Sequence, residues 1–264
     1  MNPEPRRVQD PMNALRGFLL LDMFVRLMVW SGALALTLAV FAALDAWPGS
    51  DLRGMNLSAA WDWSQKLVHM ILLFNLFYVL ILIVLRLPIP RPKPGRYATA
   101  PGQPLDRQLI WSCLIATLTK ARYEPPFPGF LVFHIANLPP LCWLMSPIFG
   151  PKSRSCYIAE PTILDPHQVT IGRNVVIGFG TTLAGHYQEK DHIVIKPTII
   201  EDDVLIGAHS ALSGVHVKKG ASIGAGSIVL PGSVVGPGEH WSGNPARRRR
   251  VTKANDPKNE LQIE

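Results

Sequence analysis

Two stretches decide how the chain folds: Val169-Thr-Ile-Gly-Arg-Asn-Val-Val-Ile-Gly178 and Ile200-Glu-Asp-Asp-Val-Leu-Ile-Gly-Ala-His209. In both, an aliphatic residue returns every sixth position, commonly with a small or acidic residue behind it, and the rhythm extends well beyond them. Ile171, Ile177 and Leu183 form one triplet, Ile200, Ile206 and Leu212 a second, and Ile223, Val229 and Val235 a third. Helices repeat at 3.6 residues and half-buried strands at two, so neither accounts for nine positions in register. A coil with three short flat sides does, with one hexapeptide per side and its aliphatic residue pointing inward; small residues suit the corners. The reading is a mainly β chain whose C-terminal half is a parallel β-helix.

The rhythm breaks twice. Leu183 and Ile200 are 17 residues apart, so roughly Ala184 to Thr198 must leave the coil as a loop, carrying His186, Lys190, Asp191 and His192. Leu212 and Ile223 are 11 apart where two hexads need 12, which shortens or bulges one side near Val215 to Lys219.

The other half is built from different residues. Leu, Phe, Trp and Met crowd the first 150 positions of this 264-residue chain. Leu27 to Leu44 and Leu67 to Leu85 carry no charge, and a crossing helix needs roughly 20 apolar residues, so the sequence predicts two membrane spans and an α-helical anchor. The apolar run from Phe18 is too long for a cleaved leader. Arg6, Arg7 and Arg16 precede the first span; Arg86, Arg91, Lys93 and Arg96 follow the second, which puts both ends in the cytoplasm. The expected location is the inner, cytoplasmic membrane, multi-pass, with the β-helix facing the cytoplasm. Alternating prolines from Pro88 to Pro94 predict a stiff extended stalk. A helix is expected over Leu105 to Ala121. Phe130 to Phe149 approaches a span in length, with Pro139-Pro140 breaking it; were it to cross, the β-helix would lie on the other side. The expected domains are thus 1–86 for the tail and spans, 87–160 for the basic linker and interfacial segments, 161–250 for the β-helix and 251–264 for a polar tail.

The net charge of +7 sits beside apolar segments and in Arg247 to Arg250 without interleaved aromatics, which favours a membrane lipid surface over nucleic acid. Cys113, Cys142 and Cys156 have no CxxC spacing, so neither a disulfide framework nor a zinc site is expected.

These residues resemble the hexapeptide-repeat acyltransferases: the galactoside, maltose and serine acetyltransferases and the sugar O-acetyltransferases of cell envelopes. The likeness runs from Asp165 through the two quoted stretches, Thr182-Leu-Ala-Gly-His186 and Ile223-Gly-Ala-Gly-Ser-Ile-Val229, and closes on Gly243-Asn-Pro-Ala-Arg247. It covers about a third of the chain. The resemblance implies a left-handed coil, a homotrimer, and acetyl-CoA as co-substrate bound between neighbouring coils, with no metal. It also implies His186 as catalytic base, since imidazole titrates close to cellular pH. Ala208 and Ala225 fall where small residues admit the pantetheine arm, and Arg247 and Arg250 where cations meet the CoA phosphates. Asp165 and Glu160 are candidates for orienting the base or holding the acceptor, or are ordinary turn carboxylates. His192, His209 and His216 read as structural. Leu205 stands where several family members carry an aromatic, so a stacking contact is missing there. The anchor suggests a glycan or lipid-linked sugar acceptor, hence polysaccharide modification. Two other readings stay open: a zinc lyase of the trimeric carbonic-anhydrase type, for which His186 and His192 lack companion ligands at a recognisable spacing, and a non-catalytic scaffold.

Overall fold

The structure is a computed structural model that describes residues 11–44, 56–99, 105–123, 137 and 146–249. The chain divides into two compact units, one of Met1–His134 with Asp165–His167 and Gln188–Ile195, the other of Ile135–Leu164, Gln168–Tyr187 and Lys196–Glu264.

In the first unit, α1 spans Pro11–Ala43, α2 spans Leu57–Arg86 and α3 spans Arg107–Tyr123. The start of α2 is fixed by Asn56, whose side chain accepts from the Ala59 N–H at 2.9 Å and satisfies an orphan donor of the first turn. Its end is set by Pro88 and Pro90, which cannot continue a helix. Asp106 does the same service for α3 by accepting from the Gln108 N–H at 2.7 Å. Val29 and Ala33 of α1, Phe74, Tyr78 and Leu82 of α2, and Leu118 and Ala121 of α3 form one buried cluster, with Trp30 edge-on to Phe74 at 5.3 Å between ring centres. Leu19–Ala43 and Leu57–Arg86 are long and apolar enough to cross a bilayer, and their outer faces present Leu20, Phe24, Leu72 and Leu76 to the surroundings.

The stalk does not stay fully extended and alone. Gly95–Ala98 forms strand β1 and pairs antiparallel with His192–Ile195, Gly95 opposite Ile195 and Ala98 opposite His192. The Thr99 N–H adds a bond to the Asp191 carbonyl at 2.9 Å, and Arg96 ion-pairs with Glu189. The segment expected as a loop is therefore a β-hairpin, His186–Glu189 and His192–Ile195, turning at Lys190-Asp191. Of Phe130 to Phe149, only Asn137 and the helical turn Ser146–Phe149 are described; the rest, with Pro139-Pro140, lies outside the described residues.

The second unit is the expected parallel β-helix. One sheet stacks Tyr157–Ile158, Val176–Ile177, Leu205–Ile206, Ser222–Ile223 and His240–Ser242. A second stacks Thr162–Ile163, Thr182–Ala184, Ala211–Ser213 and Ile228–Val229; a third stacks Val169–Ile171, Thr198–Ile200, His216–Val217 and Val234–Val235. All three are parallel along the coil, in register residue for residue. The nine aliphatic positions read from the sequence are each at most 2% exposed, and Ile158, Ile163 and Val217 join them. Val217 locates the missing residue. A full hexad separates it from Ile223 but only five positions separate it from Leu212, so the short step is the corner at Gly214, where φ is +59°, and not a bulge at Val215 to Lys219.

Both open ends of the first sheet are closed. At one, the Asn137 amide mimics a strand, accepting from the Ile158 N–H at 2.6 Å and donating to its carbonyl at 2.9 Å. At the other, Arg247–Arg249 folds back antiparallel on His240–Ser242. Capping of this kind removes the unpaired edges on which parallel coils would otherwise stack.

Candidate active site

Ala208 and Ala225 come together because the corner after the first sheet repeats from coil to coil. Gly178 lies against Ala208 and Gly207 against Ala225: a Cβ on either glycine would fall 2.4 Å from the alanine's backbone nitrogen. The Gly226 N–H donates to the Ala208 carbonyl at 2.8 Å, and Gly243, one coil further, accepts from the Ile228 N–H at 3.0 Å. Phe179, Ala208, Ala225 and Gly243 thus form one column along this corner. Phe179 is 54% exposed and meets the His209 ring edge-on at 5.8 Å, while His209 itself takes a left-handed backbone, φ +56°.

The arginines behave differently from one another. Arg248 pairs with Glu239 at 3.2 Å. Glu239 also accepts from the Trp241 indole and the Gly236 N–H, both at 2.9 Å, and these bonds hold its carboxyl below the usual carboxylate range. Strand alternation turns Arg247 and Arg249 to the opposite side from Arg248. Arg249 is the residue that motif matching passes over: its Nη2 lies 3.6 Å from where a Cβ on Gly243 would stand, at the end of the alanine column. The signal was available, because aligning Gly243 under Ala225 by coil puts the return strand over that corner. Arg250 lies outside the described residues.

His186 leaves the coil directly after Thr182–Ala184, at the far end of the second sheet from the alanine corner. Its carbonyl accepts from the Ser213 hydroxyl. The neck is closed by the Lys196 N–H, bonded to the Gly185 carbonyl at 2.9 Å, and by buried Thr198, whose hydroxyl donates to the Ala184 carbonyl at 2.5 Å and accepts from the Gly214 N–H at 2.9 Å. Gly185 is required there: a Cβ would lie 2.0 Å from the Gln168 Cβ. The hairpin base is therefore fixed by packing and by hydrogen bonds on both sides of its entry.

The two carboxylate candidates separate. Glu160 is exposed on a left-handed corner, φ +42°. Asp165 is buried and belongs to the helical unit, where burial first and the Asp165 charge second push the Cys113 thiol up. His216 bonds Glu201 at 2.7 Å on the third sheet, in keeping with a structural role. Among the described residues, no group of three or more His, Cys, Asp or Glu is placed to hold a metal ion.

Residues 197–231 match the family model described as a hexapeptide repeat of succinyl-transferase. The chain is 31% identical over 128 residues to a candidate acetyltransferase of Bacillus subtilis, YvoF, a match that covers 45% of this chain and 73% of that protein. It is 42% identical over 94 residues to the 2,3,4,5-tetrahydropyridine-2,6-dicarboxylate N-acetyltransferase of Staphylococcus aureus, covering 35% of this chain and only 37% of that enzyme. Among solved structures, a hexapeptide-repeat acetyltransferase of Vibrio cholerae in complex with acetyl coenzyme A aligns over 56% of this chain and 93% of its own, with 20% identity and a TM-score of 0.37.

Proposed function

The chain belongs to the hexapeptide-repeat acetyltransferases, enzymes whose donor is acetyl-CoA, and on that premise we propose that it is a membrane-anchored O-acetyltransferase acting on a glycan or lipid-linked sugar at the cytoplasmic face. The observation that carries this reading is the hairpin His186–Ile195, extruded from one sheet of the coil with its first residue a histidine whose backbone is fixed by Ser213.

In the proposed reaction His186 takes the proton from the acceptor hydroxyl as its oxygen attacks the thioester carbon. The carbonyl oxygen becomes an oxyanion in the tetrahedral intermediate, which a backbone N–H stabilises. The C–S bond then breaks, and the imidazolium returns its proton to the departing CoA thiolate. The column Ala208, Ala225 and Gly243 suits the pantetheine arm because its own residues carry nothing larger than a methyl group. Arg247, Arg249 and Arg250 are the candidate phosphate contacts, since guanidinium forks match phosphate geometry.

The His186 end and the alanine column sit at opposite ends of the second sheet, which favours a homotrimer in which the histidine of one subunit serves the groove of its neighbour. Tyr157, Val176 and Leu205 support it: they are register partners on the first sheet and form an outward apolar row. The two apolar helices and their flanking arginines support the anchor and its orientation.

Replacing His186 with Ala tests the base. Acetyl-CoA binding by calorimetry should persist while turnover falls by about 10²-fold or more; an Ala variant with full turnover rejects the assignment. Comparing lipid-linked and free sugars as acceptors tests the substrate class, and equal rates on both remove the reason for the anchor.

A further inference from the structure

Three arginines lie toward one end of the helical unit, and among the described residues none of them is paired with a carboxylate. Arg86 ends α2, Arg91 follows in the proline segment and Arg122 lies in the last turn of α3. The charge that acts on Arg122 is that of Arg86, and the one that acts on Arg86 is that of Arg91, and both are of like sign. Arg86 spends one N–H on the Ile89 carbonyl at 2.5 Å. The Nε of Arg122 is buried with no hydrogen-bond partner, and burial, then the Arg86 charge, pulls its guanidinium below its ordinary value. A buried donor on a desolvated cation, repelled by its neighbours, is an arrangement that an anion would relieve.

Beside the arginines is a cleft of about 170 Å³ between α1, α2 and α3, lined by Leu21, Val25, Leu85, Ile89, Leu114 and Leu118 with Asp22 and Thr117. Ile89, which holds Arg86, is in its wall, and Leu118 lies one helical turn before Arg122. Asp22 does not answer the arginines, because Arg26 holds it at 2.9 Å. A soluble anion would satisfy the guanidiniums and leave the cleft empty; an amphiphile fills both.

We propose that Arg86, Arg91 and Arg122, together with this cleft, form a binding site for an anionic phospholipid, its phosphate on the guanidiniums and one hydrocarbon chain in the cleft. The two apolar helices place such lipids around the site, and basic pockets between membrane helices on the cytoplasmic side suit anionic headgroups. The site rests on the reading that α1 and α2 lie in a bilayer.

The test is lipid retention. The full chain, purified in detergent and equilibrated with mixed micelles holding equal amounts of phosphatidylglycerol and phosphatidylcholine, is examined by native mass spectrometry for the lipid it keeps. The expected result is a preference for phosphatidylglycerol on the order of tenfold, reduced to less than about twofold in the double variant Arg86→Gln, Arg122→Gln. Leu118→Trp, which fills the cleft and leaves the arginines intact, should also lose the lipid. Arg86→Lys with Arg122→Lys, which keeps charge but not the fork, should retain an intermediate preference and serves where the Gln variant does not fold. Equal retention of both lipids by the wild-type chain overturns the proposal, as does an unchanged preference in the folded Gln variant. Displacement of the lipid by millimolar inorganic phosphate also overturns it, since the tail would then contribute nothing. Alkaline extraction of native membranes tests the bilayer reading separately: a chain washed free of membranes ends that reading whatever the micelles report.

Discussion

At the residue scale, the corner at Gly207 has no room for a methyl group. Its missing Cβ would stand 2.4 Å from the Ala225 nitrogen, which is backbone and cannot swing aside as a flexible side chain would. Gly207→Ala must therefore push two coils apart, and overpacking of this kind costs about 1–3 kcal/mol. A lowered thermal midpoint, with acetyl-CoA affinity falling too because Ala208 and Ala225 move, is the expected pair of readings; an unchanged midpoint would mean that the corner yields freely. Glu201 offers a pH reading. The Lys219 N–H and then the His216 ring bond its carboxylate at 2.9 and 2.7 Å and hold its pKa below the usual carboxylate value. A depressed carboxyl contributes stability above its unfolded pKa, about 4.3, and loses it as pH falls through the lower folded value. The side chain is 38% exposed, so the contribution after solvent screening is about 0.5 kcal/mol or less. Glu201→Gln should be slightly less stable than wild type at pH 6, with the gap narrowing as pH falls below about 4.3 in denaturant titrations.

At the element scale, the hairpin that carries His186 is held by a strand from far away in sequence. Gly95–Ala98 pairs along the whole of His192–Ile195, and Thr99 adds the bond to Asp191 beside the turn. Thr99→Pro removes that donor while leaving the four ladder pairs, so the turn should open locally without global unfolding. Limited trypsinolysis at exposed Lys190 should quicken, and amide exchange should rise across Gln188–Ile195 and nowhere in the coils. The sequence announces the coils because each side needs one aliphatic residue, and Ile171 through Val235 supply them in rhythm. It conceals Val217, whose side is entered one residue early through Gly214. It also conceals the hairpin's partner: nothing in Arg96-Tyr97-Ala98, following alternating prolines, marks an antiparallel match to a segment some 95 positions on. The extruded segment that His186 opens and the small-residue corner at Ala208 and Ala225 follow from local motifs; the place of Arg249 emerges only when Gly243 is aligned under Ala225, because the return strand reverses over that corner. Arg86 and Arg91 are near in sequence, but Arg122 joins Arg86 only through the packing of α2 and α3.

At the scale of the whole molecule, the coil leaves an apolar row on one outer face that a monomer would expose to water. Leu205 is 50% and Tyr157 49% exposed, with Val176 between them in register. If this row is the subunit contact, Leu205→Glu places a charge at the centre of each interface, where an unpaired buried charge is strongly unfavourable. Light scattering should then find the chain as a monomer in its detergent micelle while circular dichroism keeps the β-helix, and turnover should fail because no neighbour completes the site. A trimer that survives Leu205→Glu puts the contact elsewhere.

The proposed placement of the coil on the cytoplasmic side of a membrane rests on charge: Arg16 lies before the apolar stretch Leu19–Ala43 and Arg86, Arg91, Lys93 and Arg96 at or after the end of the second, and positive flanks tend to stay cytoplasmic. On that proposal, two crossings return the chain to the side on which acetyl-CoA is made available. Lys190 at the hairpin tip is exposed and provides a trypsin site by which sidedness can be read. Inverted vesicles, with their cytoplasmic face outward, should lose the intact chain to trypsin with cleavage at Lys190. Right-side-out vesicles should protect it until detergent is added. The opposite pattern would mean an odd number of crossings before residue 150, and the segment around Pro139-Pro140 would then be the third.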